Sequence, residues 1–340
     1  LLVITLFKLI TMRNLLILIS CCLLPQIMRA DDRWLEFPGG DGPGKGKHIV
    51  LVSGDHEYRS EEAFPQLGKI LSKHLGFRCT VLFPIDPQTG EINPESVTNI
   101  PGLEALEEAD LVVLGLRFRN LEDDQMKLIV DYAEAGKPLM AIRTSTHPFN
   151  IPKDRKYHQY TWNNQDPANK GGFGKKVFGE TWVSHYGKHG RESTRGLVAD
   201  AKHPIATGIK DGDIWGPTDV YEVKLPLTGD GHPVIFGQIL SGMNPESAPV
   251  TDARSEKIMP VAWTRTYNGG RVFVTTMGSA DDLPSEGVRR MLANASLWCV
   301  GLEDKIQAQQ NVAIVGEYTP TPFGFKKYIP GKRPADYDLN

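Results

Sequence analysis

The sequence predicts an α/β protein whose core is a mostly parallel sheet. Two observations lead to this prediction. Short, almost wholly apolar segments recur along the chain, which is typical of strands covered on both faces. Between them lie segments whose apolar residues keep helical spacing, and a strand–helix–strand order joins parallel strands by right-handed crossovers.

The first half of the chain carries the clearest alternation. An apolar strand is predicted at residues 48–53, followed by a helix that begins at Ser60 and stops at Gly76. The elements that follow are strands at 78–83 and 110–115, a helix at 122–135 and a strand at 138–142.

The second half is less regular. Residues 149–190 are rich in Gly, Lys, His and aromatic residues, and loops of this length inside a compact domain are usually functional or disordered. Strands are then predicted at residues 195–199, 220–224, 234–239, 260–265 and 271–276, before a final helix at 285–299.

Composition sets the broad class. The 340 residues include 38 Lys and Arg against 41 Asp and Glu, a net charge of −3 that gives no support for a nucleic-acid or anionic-membrane partner. With 40% hydrophobic residues, the chain can bury a large core. We predict one main domain at residues 47–302, after a Gly/Pro-rich linker at 31–46 and before a tail at 303–340 that wraps the surface.

Residues 1–30 are expected to be a signal peptide. Met12, the apolar run at 15–24 and Ala30 mark its three regions, so residues 1–11 would lie upstream of the true start. The run is too short for a membrane span, which takes about 20 residues. Export to the periplasm or the medium is therefore expected, with a lipid anchor at Cys21 as the alternative.

A polar segment follows the first predicted strand, at the edge where ligands bind in open α/β sheets. It reads Gly-Asp-His-Glu-Tyr-Arg at residues 54–59. The residues predicted to bind a substrate are Asp55, Glu57, Tyr58 and Arg59. The alternative is a helix-capping loop with Ser60 as N-cap, which leaves most of these polar groups unexplained.

The strand at 138–142 runs into a second polar turn at residues 143–147, where many α/β enzymes carry a nucleophilic Cys or Ser. No cysteine is present in this turn. Arg143 could bind a carboxylate, a phosphate or a sugar diol, or form a structural salt bridge below the crevice. His147 is a candidate catalytic acid or base.

A third cluster contains Trp182, His185 and His189. Trp182 and His189 are predicted to contact a substrate, and His185 is a candidate acid or base. The two histidines could instead bind a divalent metal such as zinc. The available third ligands would then be His147, Glu57 or Asp219.

Asp219 and Tyr221 lie two residues apart in a predicted strand and therefore share a face. Asp219 is interpreted as a catalytic or orienting carboxylate, and Tyr221 as a substrate contact.

In their order and spacing these motifs resemble the ThuA-like (trehalose utilisation) family. The resemblance spans residues 47–302 and rests on GDHEYRSEEA, KPLMAIRTSTH, the loop with Trp182 and His185, HPIATGI with DVYEV, and MPVAWTRTYNGGRVFVTTMGS. It implies a three-layer α/β/α fold with a flavodoxin-like sheet, similar to class I glutamine amidotransferases. It also implies a role in carbohydrate metabolism, with oxidised (3-keto) disaccharides or glycosides as substrates.

The sequence departs from the amidotransferases at the second turn, because Arg143 stands where those enzymes keep their nucleophilic Cys. Cys79 and Cys299 have apolar neighbours in a predicted strand and helix and are interpreted as buried thiols. Glutamine hydrolysis through a thioester is therefore not expected.

Different classes of function remain open. The first is an enzyme that moves protons on a keto-sugar, with His147, His185 or Asp219 as acid or base and Arg143 as anchor. The second is a non-catalytic carbohydrate-binding protein in which tryptophans such as Trp162 stack on the sugar. A third is metal-assisted hydrolysis. In each case the partner is a small carbohydrate, and the oligomeric state is left open.

Overall fold

Three α-helices and twelve strands organise residues 32–338, which are the residues that the computed structural model describes. The helices are α1 (Ser60–Leu75), α2 (Asp123–Glu134) and α3 (Glu286–Cys299). The strands are β1 (Trp34–Phe37), β2 (His48–Gly54), β3 (Arg78–Leu82), β4 (Leu111–Leu116), β5 (Leu139–Ile142), β6 (Ser184–His185), β7 (Ser193–Val198), β8 (Trp215–Gly216), β9 (Tyr221–Glu222), β10 (His232–Leu240), β11 (Met259–Tyr267) and β12 (Gly270–Thr275). The expected signal peptide, including Cys21, lies outside the described residues.

Ten of these strands form one sheet in the order β1-β3-β2-β4-β5-β12-β11-β10-β7-β8. The central strands β3-β2-β4-β5-β12 are all parallel, and their order is the flavodoxin-like one. The outer strands on both sides join by antiparallel pairing. The predicted α/β class with a flavodoxin-like sheet is confirmed, and the whole sheet is mixed.

The switch from parallel to antiparallel pairing occurs at a tight hairpin. Only Asn268 and Gly269 separate β11 from β12, and both have positive φ (47° and 88°). Asn-Gly is the preferred pair for a two-residue hairpin turn whose twist matches the strands. A connection this short cannot make a crossover, so β11 runs antiparallel to β12.

Helices cover the parallel centre. Helix α1 packs on β2 and β3, while α3 packs on β5 and β12. The connection from β2 to β3 runs in the opposite direction across the sheet from the connections that lead to β4 and β5. Right-handed crossovers in opposite directions lie on opposite faces, which gives the three layers. All seven residues of β2 are buried between those layers.

The predicted linker at 31–46 contains a strand. Trp34–Phe37 pairs antiparallel with β3, and Leu35 and Phe37 are buried. The Gly/Pro-rich composition that predicts a linker begins only after Phe37. The strand was missed because it has only four residues, with alternating burial, and directly precedes the Gly/Pro-rich stretch.

The start of α1 also differs from the capping alternative. The residue before the helix is Arg59, in a left-handed conformation with φ 56°, and it makes no side-chain cap. The Ser60 hydroxyl instead accepts the backbone N–H groups of Gly54 (3.1 Å) and Asp55 (2.9 Å). Ser60 thus fixes the loop that leaves β2.

Two further findings concern the described residues. Cys79 and Cys299 are buried free thiols, as predicted. Among residues 32–338, none of the helices combines the length and the apolar character needed to cross a bilayer.

Candidate functional site

A cleft of about 390 Å³ lies at the carboxyl edge of the parallel strands. Its walls come from the segments that follow β2, β4 and β5, from the loop around β6 and β9, and from the C-terminal tail. Eight of the eleven predicted site residues line it: Glu57, Tyr58, Arg143, His147, Trp182, His185, His189 and Tyr221. The volume falls within the range of about 300–1,000 Å³ usual for small-molecule sites.

Left-handed backbone marks the exits of three central strands. Arg59 after β2, Phe118 after β4 and Arg143 after β5 have φ values of 56°, 49° and 50°. This conformation is uncommon for residues with a side chain, and such strain clusters at functional sites. At Arg143 it produces the sharp strand-to-turn elbow that the sequence predicts.

Arg143 occupies the elbow and is almost wholly enclosed, with 3% of its side chain exposed. Its guanidinium donates to the carboxylate of Asp219 (3.1 Å), to the carbonyl of Asp219 (3.0 Å) and to the Tyr58 hydroxyl (3.0 Å), and also to the carbonyl of Thr276. The structural salt bridge left open by the sequence is therefore present. Arg143 borders the cleft, but these N–H groups donate to other residues of the protein rather than to the cleft.

Asp219 lies behind the cleft wall and ties three side chains together. Its two carboxylate oxygens accept from Nδ1 of His185 (2.8 Å), Nδ1 of His189 (3.1 Å) and Arg143. Burial alone would raise the pKa of Asp219, but these hydrogen bonds and the charge of Arg143 lower it, so the carboxylate is ionised. Asp219 is placed to orient both histidines rather than to touch a ligand.

His185 is about half exposed on the cleft wall. Its hydrogen bond to Asp219 raises its pKa above the ordinary value. The carboxylate fixes Nδ1 as the donor and turns the rest of the ring toward solvent, in the manner of an oriented catalytic histidine.

His147 lies at the buried end of the cleft, and its environment has the opposite effect. Burial, with Arg117 and Arg143 nearby, holds the pKa of His147 well below its ordinary value. The ring is therefore neutral at physiological pH.

A chain of hydrogen bonds assigns the tautomer of His147. The Tyr221 hydroxyl donates to the carbonyl of Arg143 (2.8 Å), so the Thr146 hydroxyl donates to Tyr221 (2.8 Å). Thr146 can then accept the Nδ1 proton of His147 (3.2 Å). Nε2 of His147 is left unprotonated, which suits a general base.

A second polar group flanks the cleft after β2 and β4. Burial raises the pKa of Glu57, whose carboxylate contacts Nε of Arg117 (3.3 Å) and Nε2 of His189 (3.6 Å). Arg117 also donates to Nε2 of His56 (2.8 Å), and Arg119 lies 3.0 Å from the other ring nitrogen. Burial and these arginines lower the pKa of His56 to about 4.

The structure places two predicted substrate-binding residues away from the cleft. The Asp55 carboxylate accepts the N–H groups of Glu57 (2.7 Å) and Tyr58 (3.0 Å) and the hydroxyl of Thr144. Asp55 thus joins the loop after β2 to the elbow after β5. Arg59 is fully buried and donates to the carbonyls of His56 (2.8 Å) and Gly324 (3.0 Å). Both side chains hold the walls in place, since their hydrogen bonds go to backbone groups and, for Asp55, also to the Thr144 hydroxyl.

Aromatic rings form much of the remaining wall. The ring of Phe118 lies 5.3 Å from Trp162, and Trp162 lies 5.9 Å from Trp182. From the sequence, Trp162 was predicted only as one of the tryptophans that could stack on a sugar. Arg117, Phe118 and Phe325 were missed as site residues. Arg117 and Phe118 follow β4, just as Asp55 follows β2 and Arg143 follows β5. Their position at the end of a strand could therefore have identified them, whereas no local sequence pattern marks Phe325.

Three of the polar side chains have ligand atoms close enough for a metal site. The donor atoms of His185, His189 and Asp219 lie within 4.8 Å of one another. Of the third ligands that the sequence left open, Asp219 is the one that completes this group.

The fold and the site together define a flavodoxin-like α/β protein with a polar, histidine-rich cleft and an arginine at the elbow. The model of the ThuA family, described as trehalose utilisation, matches residues 92–299, and the chain belongs to this family.

Solved structures with a similar fold include a protein described as ThuA-like from Parabacteroides merdae, at 15% identity, 87% coverage of this chain, 100% coverage of that chain and a TM-score of 0.48. Another protein described as ThuA-like, from Bacteroides uniformis, is 13% identical. The match covers 77% of this chain and 95% of that chain, with a TM-score of 0.48. A search of curated proteins finds no match.

Proposed function

We propose that this protein binds an oxidised (3-keto) disaccharide or glycoside and moves protons beside its carbonyl group, without a Cys nucleophile. The observation that carries the proposal is the pair His147 and His185. The two imidazoles share one cleft, and their pKa values are shifted in opposite directions. Two titratable groups in one site whose pKa values are shifted apart by their environments are the usual sign of a catalytic acid and a catalytic base.

The chemistry follows from this pairing. Nε2 of His147 takes a proton from the carbon next to the carbonyl, and protonated His185 donates a proton to the carbonyl oxygen. The product is an enediol. Returning the proton to the former carbonyl carbon, while the hydroxyl on the adjacent carbon loses its proton, isomerises the sugar. Alternatively, the first hydroxyl loses its proton, the carbonyl re-forms and the substituent on the next carbon leaves as its alcohol, which completes an elimination. Asp219 orients His185 and stabilises its charged form through the 2.8 Å hydrogen bond.

The cleft walls suit a sugar. Trp162 and Trp182 offer flat apolar surfaces, while Glu57 and His189 offer polar atoms for hydroxyl groups. Sites for small polar ligands combine aromatic surface with a few placed polar groups in this way. The family's description, trehalose utilisation, supports a carbohydrate as the ligand.

Product analysis tests the proposal. The protein is incubated with 3-keto-glucosides and 3-keto-disaccharides, and products are read by NMR and mass spectrometry. We expect conversion by the wild type and none by His185→Ala. The matched control is His232→Ala, because His232 forms an exposed pair with Asp200 (3.0 Å) outside the cleft. Full activity in His185→Ala would contradict the assignment, and binding without conversion by the wild type would favour a non-catalytic carbohydrate-binding protein.

Metal-assisted hydrolysis is a second candidate, favoured by the group His185, His189 and Asp219. Tetrahedral zinc with bonds of about 2.0 Å places ligand atoms about 3.3 Å apart. The Nδ1 atoms of His185 and His189 lie 2.8 and 3.1 Å from different oxygens of Asp219, and the three donor groups lie within 4.8 Å of one another. Binding the ion would require shifts of these side chains and loss of both Nδ1 protons.

Elemental analysis of dialysed protein separates the two candidates. Zinc near one ion per chain that is absent from His189→Ala would favour the metal site. Conversion that persists in protein shown to be metal-free would exclude it and leave the acid–base proposal standing.

A further inference from the structure

The C-terminal segment 318–325, named here the strap, lies beyond the residues matched by the family model. It is anchored at its start by Tyr318, whose hydroxyl donates to the carbonyl of Ala280 (2.8 Å). Thr321 then donates its backbone N–H (2.7 Å) and its hydroxyl (2.6 Å) to the carboxylate of Glu62 on α1. The strap is therefore attached to the core well before it reaches the cleft.

Three more hydrogen bonds attach the end of the strap to the residues around the cleft. The N–H of Gly324 donates to the carbonyl of Glu57 (2.7 Å), and the buried Arg59 donates to the carbonyl of Gly324 (3.0 Å). The N–H of Phe323 donates to Asp281 (3.3 Å). The Arg59 side chain, which donates to the carbonyls of both His56 and Gly324, therefore holds the strap against the loop after β2.

The two phenylalanines of the strap have different surroundings. Phe323 stacks on Tyr58, with ring centres 5.5 Å apart, and meets the edge of His189 at 5.1 Å. It is packed between side chains of the site. Phe325 lines the cleft with 52% of its surface exposed. An exposed aromatic ring at a polar cleft is more informative than a buried one. Arg117 and His56 contact the Phe325 ring, yet about half of its surface is left uncovered by the described residues.

Phe325 ends a continuous wall that begins at His147. The ring of His147 lies 5.1 Å from Phe118, and the Arg117 guanidinium is 4.5 Å from the Phe118 ring and 4.8 Å from the Phe325 ring. Arg117 is thus held between two aromatic rings. The wall runs from the buried His147 to the exposed Phe325. A ligand that contacts both residues must therefore extend beyond the group that contacts His147.

We propose that Phe325 forms a subsite for the second ring, a sugar or an apolar aglycone, of a glycoside whose oxidised ring lies at His147. This rests on the proposed function, which places the reacting carbonyl at the buried end. The C–H face of a pyranose or an apolar aglycone packs on the exposed ring and covers it. The strap is then a specificity element outside the residues that the family model matches, and Phe325 is a binding residue rather than a catalytic one.

Calorimetry with two ligands tests the subsite. The probes are 3-keto-glucose, which has one ring, and 3-keto-trehalose, which has two. We expect Phe325→Ala to weaken binding of the two-ring probe by about 3- to 10-fold, a usual range for one aromatic contact, and to leave the one-ring probe unchanged. Phe325→Trp should restore the affinity. The matched control is Ile329→Ala, because Ile329 is 43% exposed on the same tail and does not line the cleft.

Each other outcome overturns the subsite in a recognisable way. An equal loss for both probes would mean that Phe325 only supports the cleft. Equal affinity of the wild type for both probes, unchanged in Phe325→Ala, would mean that the second ring is not bound there. If the wild type binds neither probe, the proposed function itself fails and the subsite falls with it.

Discussion

Replacing Asp219 by Asn removes one negative charge from the point where Arg143, His185 and His189 meet. The Asp219 and Arg143 side chains are 0% and 3% exposed, with N and O 3.1 Å apart. Removing one partner of such a buried pair typically costs about 3–5 kcal/mol, because the remaining charge is left uncompensated. Arg143 keeps three neutral oxygen acceptors, so we expect the lower end, about 3 kcal/mol.

Thermal unfolding followed by circular dichroism measures this loss. At about 2–4 °C per kcal/mol for a domain of this order of size, Asp219→Asn should lower Tm by about 6–12 °C. The matched control is Asp252→Asn, since Asp252 pairs with Arg254 at 2.7 Å but is 51% exposed. Exposed pairs contribute about 0–1 kcal/mol, so the control should stay near the wild-type Tm. An unchanged Tm in Asp219→Asn, or an equal drop in both variants, would refute the reasoning.

The same substitution has a catalytic consequence. The hydrogen bond to Asp219 raises the pKa of His185, so losing the carboxylate should move that pKa back down. If protonated His185 is the acid, the alkaline limb of the rate profile then shifts to lower pH, as measured by initial rates with a 3-keto-glucoside. A limb that stays in place would show that His185 is not the group that titrates.

Two further predictions concern other histidines. His147→Gln should lower turnover by about 10²- to 10⁴-fold, the usual contribution of a general base, with the initial rate as the measurement; wild-type rates would remove His147 from the mechanism. His56 has a pKa of about 4 in the fold against about 6.5 when unfolded, so the folded state excludes a proton that the unfolded state binds. The contribution of His56 to stability should therefore fall as pH drops from about 6.5 to about 4 and level off below that. Denaturant unfolding of His56→Gln across this range should show a smaller fall; an identical pH dependence would contradict the assigned pKa.

Much of the fold could be predicted from the sequence because its strands are apolar and its helices amphipathic. The segments predicted around β2, α1, β3, β4, α2, β5 and α3 all form close to their expected bounds. Strand direction in the second half could not be predicted in the same way, since apolar strands look alike in either direction. The Asn268-Gly269 hairpin was the available signal, and it marks where antiparallel pairing begins.

The site was predicted by location more than by role. Residues at strand ends meet at one sheet edge whatever their side chains do, so His147, Arg143 and Glu57 were found together. Whether a side chain faces the cleft or the backbone depends on packing, and for that reason Arg59 was misplaced. Phe325 lies more than 170 residues beyond His147 in the chain, and only the folded tail brings it to the cleft.

Hydrogen exchange at the sugar carbon tests the central claim most directly. A 3-keto-glucoside is incubated in D₂O with wild-type protein, with His147→Gln and without protein, and deuterium beside the carbonyl is followed by NMR. Proton abstraction by His147 predicts rapid incorporation with the wild type and only the background rate in the other two samples. Background incorporation with wild-type protein, on a sugar shown to bind, would contradict acid–base chemistry in this cleft.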